Sequence, residues 1–212
     1  MEQKVIKLPS PQSKGKVSLE ETILRRRSVR RFRREAIDLP QLGQILWSAQ
    51  GITGSRGFRA TPSAGATYPL EIFAVIGRRG VILGEREQAS EELPAGIYRY
   101  EPESHSLSLH KATDLRPDVA RASLDQEFIV QAPVAIVICA LYDRTSSRYG
   151  RRAERYVHME VGHAGENIHL QAVALGLATV EVGAFSDEGV KEVLGLEERM
   201  QPLYIMPVGR PA

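Results

Sequence analysis

The longest regular alternation of apolar and polar positions in the chain lies between residues 156 and 175. Apolar residues recur there at steps of three and four, the spacing that aligns side chains along one helical face. This first apolar stripe consists of Val157, Val161, Ala164, Ile168, Ala172 and Leu175, and a second consists of Met159, Leu170 and Val173. Between them lies a polar strip of Glu160, His163, Asn167 and Gln171. Because a helix that is apolar on two sides is covered on two sides, the pattern predicts a core helix or an interface helix.

The residues after this helix predict a strand that ends in an open main chain. Gly176 occupies the position where a left-handed residue commonly caps a helix, and residues 179–182 are apolar enough for a buried strand. The strand runs into Gly183, Ala184 and Phe185. Two small residues leave the backbone accessible to a close neighbour, so we expect a binding site at this strand end.

The other predicted elements alternate along the chain. A capping-box pattern at Ser18 predicts a helix through about Arg27, and further helices are predicted at 40–51, 115–124 and 187–194. Strands are predicted at 70–77, 133–141 and 203–208, with a hairpin formed by 96–101 and 107–112. Residues 78–95 form a charged excursion, and residues 143–155 form a polar, arginine-rich segment. The absence of a repeat or linker predicts a single domain, residues 18–212, after an extended lead-in at residues 1–17.

Composition narrows the class of protein. The chain has 212 residues, of which 42% are hydrophobic and 25% charged, as expected for one soluble globular domain. Its net charge of +2 gives no overall field that would draw it to nucleic acid or a membrane. The single Cys139 rules out an intramolecular disulfide and fits a reducing compartment. With neither a membrane-length apolar run nor a signal-like start, we expect a cytoplasmic protein without a membrane partner.

A local concentration of positive charge lies at residues 25–34, where seven of ten residues are arginine. Three interpretations remain open. The run is a solvated basic face, a nucleic-acid contact, or a phosphate clamp. The second is disfavoured because interleaved aromatic residues and a nucleic-acid-binding motif are missing. The third is attractive because arginine offers forked donors to phosphate oxygens and Ser28 adds a hydroxyl.

Several motifs together resemble the FMN-dependent nitroreductase superfamily. They are RRSVRRF at 26–32, PSAGATYP at 62–69 in a loop too long for a simple connector, GHAGENIHLQAVALGLATVEVGAF at 162–185, and PVG at 207–209. The segments GIYRYEPESHSLSLH at 96–110 and RYGRRAERY at 148–156 resemble its SagB-type branch, which contains the azoline dehydrogenases. The resemblance extends from about Ser18 to the end of the chain.

The resemblance implies an α+β, nitroreductase-like fold: a central mixed β-sheet flanked by helices, with the long helix at a homodimer interface that holds two FMN molecules. It assigns the FMN phosphate and ribityl end to Arg26, Arg27, Ser28 and Arg30, with Arg210 also against the phosphate. It places Pro62, Ser63, Ala64 and Ala66 on the flavin of the partner subunit, and Val182, Gly183 and Ala184 along the flavin ring. A reduced flavin carries negative charge near its N1–C2 edge, which Arg30 could stabilise.

The chain departs from the family pattern at two positions. Many members have Asn where this loop has Ala66, and azoline dehydrogenases have Lys where this chain has Arg148. An arginine stays protonated near neutral pH and cannot act as a base. Arg148 and Tyr149 remain the candidate catalytic pair. The role of Tyr149 is open between a proton donor and a structural tyrosine whose hydroxyl is hydrogen-bonded.

The resemblance predicts an oxidoreductase with ping-pong electron transfer through flavin N5. The donor would be NAD(P)H or a small organic substrate, and the acceptor a nitroaromatic compound, a quinone or oxygen. One alternative is a flavin-binding, azoline-dehydrogenase-like subunit of a peptide-modifying assembly, with little activity by itself. Another is a basic interaction protein without a cofactor.

No metal is expected. Glu160 with His163, and Glu166 with His169, have the spacing of di-iron ligand pairs. Such pairs come from separate facing helices, whereas both of these lie on one helix.

Overall fold

The central feature of the computed structural model, which describes residues 5–83 and 91–212, is a six-stranded sheet. Its strands in chain order are β1 (Val5–Lys7), β3 (Leu70–Ile76), β5 (Gly96–Glu101), β6 (Ser106–Lys111), β7 (Val134–Leu141) and β8 (Met200–Val208). They lie in the order β1-β6-β5-β3-β7-β8, and each neighbouring pair is antiparallel. Two short strands, β2 (Ile37–Asp38) and β4 (Val81–Ile82), pair in parallel beside it.

The helices are α1 (Leu19–Arg25), α2 (Leu39–Gln50), α3 (Arg116–Ala122), α4 (Phe128–Gln131), α5 (Tyr142–Tyr149), α6 (Ala153–Ala174) and α7 (Asp187–Leu194). They cover both faces of the sheet. Alternate residues of β7 show this directly, because Ile136 and Ile138 pack with α2 and α6 while Val137 and Cys139 pack with α3 and α7. Every residue of β3 and β7 is buried, which explains their continuous apolar sequences. The α+β fold with a central sheet flanked by helices is therefore confirmed.

The long helix α6 has 22 residues and begins three residues before its predicted start. Its first apolar stripe is buried against α2 and the sheet from Val157 to Ala172, as the three- and four-residue spacing predicted, whereas Leu175 follows the end of the helix and is half-buried. Of the second stripe, Met159 is 53% exposed. A single copy of the chain thus covers one side of α6 and leaves part of the other side available to a partner.

Several boundaries differ from the predicted ones. The side chain of Ser18 accepts a hydrogen bond from the Glu21 amide as expected, but the helix that it caps ends at Arg25. The segment 179–182 forms isolated bridges in place of a regular strand. The polar segment after β7 contains helix α5, and the N-terminal lead-in contributes the edge strand β1. Of the charged excursion at 78–95, residues 84–90 lie outside the described part of the chain.

Candidate functional site

The residues that lead to the predicted strand end pair with β8, the outermost strand of the six-stranded sheet. Val182 and Ile205 exchange backbone hydrogen bonds of 2.9 and 3.0 Å, and Ala178 and Gly209 exchange bonds of 2.8 and 3.2 Å. On its other side, the amide of Val29 donates to the carbonyl of Thr179 over 3.0 Å. The arginine-rich motif therefore runs directly beside the strand-end segment, in parallel to it at Ser28 and Thr179.

The last residues of the chain close the same region. The amide of Arg33 donates to the carbonyl of Arg210 over 3.0 Å, and the amide of Ala212 donates to the carbonyl of Arg31 over 3.2 Å. The side chain of Arg210 is 24% exposed, and its Nε lies 3.7 Å from a carboxylate oxygen of Glu35. Main-chain hydrogen bonds thus bring Arg210 beside the arginine run. We refer to Arg26, Ser28, Thr179, Val182 and Arg210 as the edge cluster.

The predicted phosphate-binding residues differ in their exposure. Arg27, Ser28 and Arg30 are exposed, whereas Arg26 is half-buried. The Arg27 guanidinium folds back onto the end of α1, where Nη1 donates to the carbonyls of Leu24 and Arg26 over 3.0 and 2.6 Å. Ser28 and Arg30 remain accessible to a bound anion, while Arg27 is engaged by its own helix.

The segment that precedes the strand end is tied to α6 by a pair formed by the buried His169 and the half-buried Glu181. Nε2 of His169, a residue 1% exposed, lies 2.7 Å from Oε2 of Glu181. Burial opposes ionisation of Glu181, but the hydrogen bond and charge of His169, with a smaller contribution from Arg26, hold its pKa below the usual value. Tyr204 packs beside Gly165 and Gly183, since a methyl group at either position would lie 3.5 or 3.8 Å from its ring, an ordinary van der Waals contact.

The loop that contains Pro62 and Ser63 ends in a tight turn. The amide of Tyr68 donates to Ser63 Oγ over 2.9 Å. Within the turn, Gly65, Ala66 and Tyr68 have φ of 60°, 55° and 44°, which is the left-handed region that glycine adopts most easily. The turn is held in a conformation that its non-glycine residues rarely adopt.

The candidate catalytic pair lies against this turn, at the end of α5. Arg148 Nη1 donates to the carbonyl of Gly65 over 3.0 Å. A methyl group on Gly65 would lie 2.6 Å from the Tyr149 hydroxyl oxygen, so the close approach of Tyr149 requires glycine. The ring of Tyr149 also meets that of Tyr156 edge to face, with centroids 5.0 Å apart.

One residue of this region was missed by sequence reasoning. Glu160 of α6 is 3% exposed, and its Oε1 has no hydrogen-bond partner among the described residues. Burial raises the pKa of Glu160 to about 7, against the opposing effects of a hydrogen bond with Ser63 and the charge of Arg59. We refer to Ser63, Gly65, Arg148, Tyr149 and Glu160 as the turn cluster.

The polar strip of α6 does not behave as one unit. Asn167 is hydrogen-bonded to the Ser48 carbonyl and to Thr61, whereas His163 is exposed. Glu160 belongs to the turn cluster, and His169 supports the edge cluster nine residues later, roughly 13 Å along the helix. The predicted site residues are therefore gathered into two groups that one helix connects.

Buried polar atoms without a hydrogen bond occur in both groups, and one of them, Arg210 Nε, has only the ion pair with Glu35 at 3.7 Å in the described part of the chain. Among the described residues, the buried side-chain polar atoms without a hydrogen-bond partner are Gln50 Nε2, Glu160 Oε1, Thr179 Oγ1 and Arg210 Nε. Buried polar atoms are normally satisfied. Thr179 and Arg210 both lie in the edge cluster, where a hydroxyl and a guanidinium suit the oxygens of an anion. The residues present thus fit a ligand with a phosphate group.

Known proteins resemble this chain over most of its length. Residues 23–210 match the family model described as the nitroreductase family. A nitroreductase-family protein of Methanocaldococcus jannaschii is 45% identical over 194 residues, covering 92% of this chain and 91% of the relative. The crystal structure of a nitroreductase-family protein from Ralstonia eutropha superimposes with a TM-score of 0.82 at 29% identity, covering 98% of this chain and 90% of the other.

A further relative has a different described role. The microcin B17-processing protein McbC of Escherichia coli is 28% identical over 156 residues. The match covers 71% of this chain and 54% of McbC, so the chain spans about half the length of that relative.

The chain belongs to the nitroreductase family, and it is an oxidoreductase by that membership. The suspected superfamily is thereby confirmed. Members of the family generally bind flavin, and the fold is commonly dimeric. Within residues 5–83 and 91–212, no helix is long and apolar enough to cross a membrane. The same residues contain no cluster of three or more His, Cys, Asp and Glu side chains placed to hold a metal ion.

Proposed function

We propose that the protein is an FMN-dependent oxidoreductase that works as a homodimer, with ping-pong electron transfer between NAD(P)H or an organic donor and a nitroaromatic, quinone or oxygen acceptor. The observation that carries the proposal is the edge cluster. Thr179, whose buried Oγ1 makes no hydrogen bond in the described structure, bridges to the exposed Ser28, and Arg210 lies beside the same arginine run, in a chain of a family that generally binds flavin.

The predicted residues have distinct physical tasks in this proposal, apart from Arg27, whose guanidinium is bound to the end of α1. Arg26, Ser28, Arg30 and Arg210 supply charge-assisted donors to the FMN phosphate. Val182, Gly183 and Ala184 offer a surface with small side chains to a planar ring, and Tyr204 behind Gly183 supports that surface. The Pro62–Ser63 loop covers the flavin of the partner subunit. When bound, FMN supplies hydride acceptance and donation at N5, and the chain supplies orientation and charge.

Anaerobic spectroscopy tests this function. The purified protein is mixed with NADH or NADPH under nitrogen, and then with a nitroaromatic compound or a quinone. We expect the flavin absorbance to bleach with the donor and to return with the acceptor. Flavin that no nicotinamide reduces would contradict the nitroreductase direction.

A second candidate is supported by the relationship to McbC. In this alternative the chain is a flavin-binding subunit of a peptide-modifying assembly, and it has little activity by itself. The turn cluster argues for a difference from azoline dehydrogenases, because Arg148 is bound to the Gly65 carbonyl and cannot serve as a base. Reduction of the flavin by an azoline-containing peptide, without reduction by NADH or NADPH, would favour this candidate.

A further inference from the structure

A buried carboxylate on an interior strand of the sheet is held by two arginines. The side chain of Glu71, on β3, is 9% exposed. Its Oε1 lies 2.6 Å from Nη2 of Arg144 on α5, and its Oε2 accepts hydrogen bonds of 3.0 and 2.8 Å from Nε and Nη2 of Arg99 on β5. A buried carboxylate is costly unless it is paired. Glu71 therefore fixes the positions of both guanidinium groups.

Arg144 also binds the tight turn at residues 63–68. Its Nη1 donates to the carbonyl of Tyr68, the last residue of that turn, over 2.9 Å. Among the described contacts, the side chain of Arg99 pairs with Glu71 and, at 4.0 Å, with Glu101, and with no residue of the turn. The guanidinium of Arg144 thus connects β3, α5 and the end of the turn, whereas that of Arg99 lies within the sheet.

The following residues of α5 are bound to the same turn. Oγ1 of Thr145, a residue 1% exposed, lies 2.9 Å from Oγ1 of Thr67, and Nη1 of Arg148 donates to the carbonyl of Gly65 over 3.0 Å. Residues 144 and 145 are four and three positions before Arg148, so all three lie on one side of the helix. α5 therefore lies along the turn, and these contacts set the position of Tyr149 at its end.

The turn needs this support because its backbone is strained. Ala66 and Tyr68 have φ of 55° and 44°, a region that non-glycine residues rarely adopt. Such residues persist only where the surrounding structure holds them. Within the turn, the amide of Ala66 donates to the Ser63 carbonyl over 3.1 Å, that of Thr67 to the Ala64 carbonyl over 3.3 Å, and that of Tyr68 to Ser63 Oγ over 2.9 Å. Without the guanidinium contact at its end, the turn should open more often.

We propose that Arg144 is a positioning residue of the candidate site: anchored by Glu71, it holds the strained turn and α5 in the arrangement that presents Ser63 and Tyr149 to the reactants. The inference rests on the proposed function, in which the loop at residues 62–63 covers the flavin and Tyr149 belongs to the candidate catalytic pair. In this role Arg144 touches neither flavin nor reactant. Its effect on the reaction passes through orientation, which small displacements impair strongly.

Arg99 provides a matched control, because the side chains of Arg99 and Arg144 are each 37% exposed and pair with the same carboxylate. Arg144→Ala and Arg99→Ala both remove one positive charge from Glu71, but only the first removes a contact with the turn. Reduction of the flavin by NADH or NADPH is followed under nitrogen at increasing donor concentration. We expect Arg144→Ala to lower the limiting rate about 10-fold with an unchanged half-saturating concentration, and Arg99→Ala to react like the wild type.

A third variant, Arg144→Lys, guards against a simple loss of folding. Lysine keeps the positive charge beside Glu71, but it offers one nitrogen where Arg144 uses two to bind Glu71 and the Tyr68 carbonyl. We expect Arg144→Lys to unfold in urea at the wild-type midpoint and to share the slower flavin reduction of Arg144→Ala. All three variants should retain FMN, because neither arginine belongs to the edge cluster.

Hydrogen exchange gives a readout that does not depend on flavin chemistry. The amides of Ala66, Thr67 and Tyr68 should exchange about 10-fold faster in both Arg144 variants than in the wild type and Arg99→Ala, with the amides of β7 as the reference for global unfolding. Equal exchange in the Arg144 and Arg99 variants would overturn the proposal, and so would flavin reduction at the wild-type rate in Arg144→Ala. Wild-type flavin that no donor reduces would instead remove the proposed function, and the exchange rates alone would then decide whether Arg144 holds the turn.

Discussion

Nε2 of His169 lies 2.7 Å from Oε2 of Glu181, and this pair fastens the middle of α6 to the residue before Val182 and Gly183. His169 is almost fully buried, so its ring nitrogen depends on Glu181 for a partner. The pair sets the position of the surface on which we place the flavin ring. It also connects that surface to Arg26, whose charge helps to lower the pKa of Glu181.

Removal of this carboxylate should destabilise the protein. Glu181→Ala leaves the buried His169 nitrogen unpaired, which typically costs about 1–3 kcal/mol. Because the pKa of Glu181 is lowered in the folded state, its contribution is present above the usual value of 4.5 and is lost as the pH falls below it. Urea unfolding at pH 7 and pH 4 measures both effects.

The matched control for that experiment is Glu188→Ala. Glu188 is 84% exposed and pairs only with Lys191 across a turn of α7 in the described contacts. Its loss should change the free energy of unfolding by less than about 0.5 kcal/mol. Equal losses in the two variants would show that the His169 contact carries no stability.

The assignment of the edge cluster as the phosphate site predicts that particular arginines are needed for FMN retention. Arg26→Ala combined with Arg30→Ala should abolish FMN retention, because two charge-assisted donors to the phosphate are lost and each is worth about 1.5–3 kcal/mol. The control is Arg33→Ala with Arg34→Ala, which removes the same charge from exposed side chains of the same run. Flavin content after gel filtration is the measurement. Full flavin in the first variant would refute the phosphate assignment.

Glu160 predicts a dependence of stability on pH. Its pKa is raised from 4.5 to about 7 in the folded state, so the folded protein loses stability relative to the unfolded chain as the pH rises through that interval. Glu160→Gln removes this loss and should exceed the wild type by up to about 3 kcal/mol at pH 8, with little difference near pH 4. The free energies of unfolding in urea at the two pH values provide the comparison. A difference that does not change with pH would be inconsistent with a carboxyl held protonated.

Substitutions at Gly65 and Gly57 distinguish the effect of backbone strain from that of the contact with Tyr149. Gly65→Ala and Gly57→Ala both place a side chain at positive φ, 60° and 73°, which costs about 1–2 kcal/mol. A new methyl group at Gly57 meets open space, whereas at Gly65 it would meet Tyr149 and Arg148. We expect a loss in unfolding free energy at least as large in Gly65→Ala as in Gly57→Ala, because Tyr149 and Arg148 must shift, and a slower flavin reduction only in Gly65→Ala. Equal reduction rates would show that Tyr149 and Arg148 have no role in the reaction.

Elements that are specified by their own sequence were predicted correctly, whereas elements that form through contacts with the rest of the chain were missed. The strands β3 and β7 and the helix α7 were predicted well because their own apolar patterns and caps specify them. Strand β1 was missed because its three residues gain a strand conformation only by pairing with β6. Helix α5 was missed because its polar sequence lacks an apolar stripe, and Thr145 is its one buried residue.

The candidate site shows the same division. Motifs brought Ser28, Val182 and Arg210 into the prediction. In the structure Ser28 bridges to Thr179 in the segment that leads to Val182, and the backbone of Arg210 is bonded to that of Arg33 in the arginine run. Glu160 was assigned to a polar strip with His163, yet the first is buried and the second exposed. Spacing along a helix shows on which side of the helix a residue lies, but not which other element covers that side. The burial of the Glu160 carboxyl group therefore could not be inferred from the sequence. Thr179 was read only as a strand residue for the same reason.

The most direct measurement of the central claim is native mass spectrometry of the purified protein, combined with an absorption spectrum after release of the bound ligand. We predict a homodimer that carries one FMN per chain and that recovers FMN after the ligand is removed and added again. A colourless monomer that takes up no FMN would contradict the assignment of the edge cluster as a flavin phosphate site.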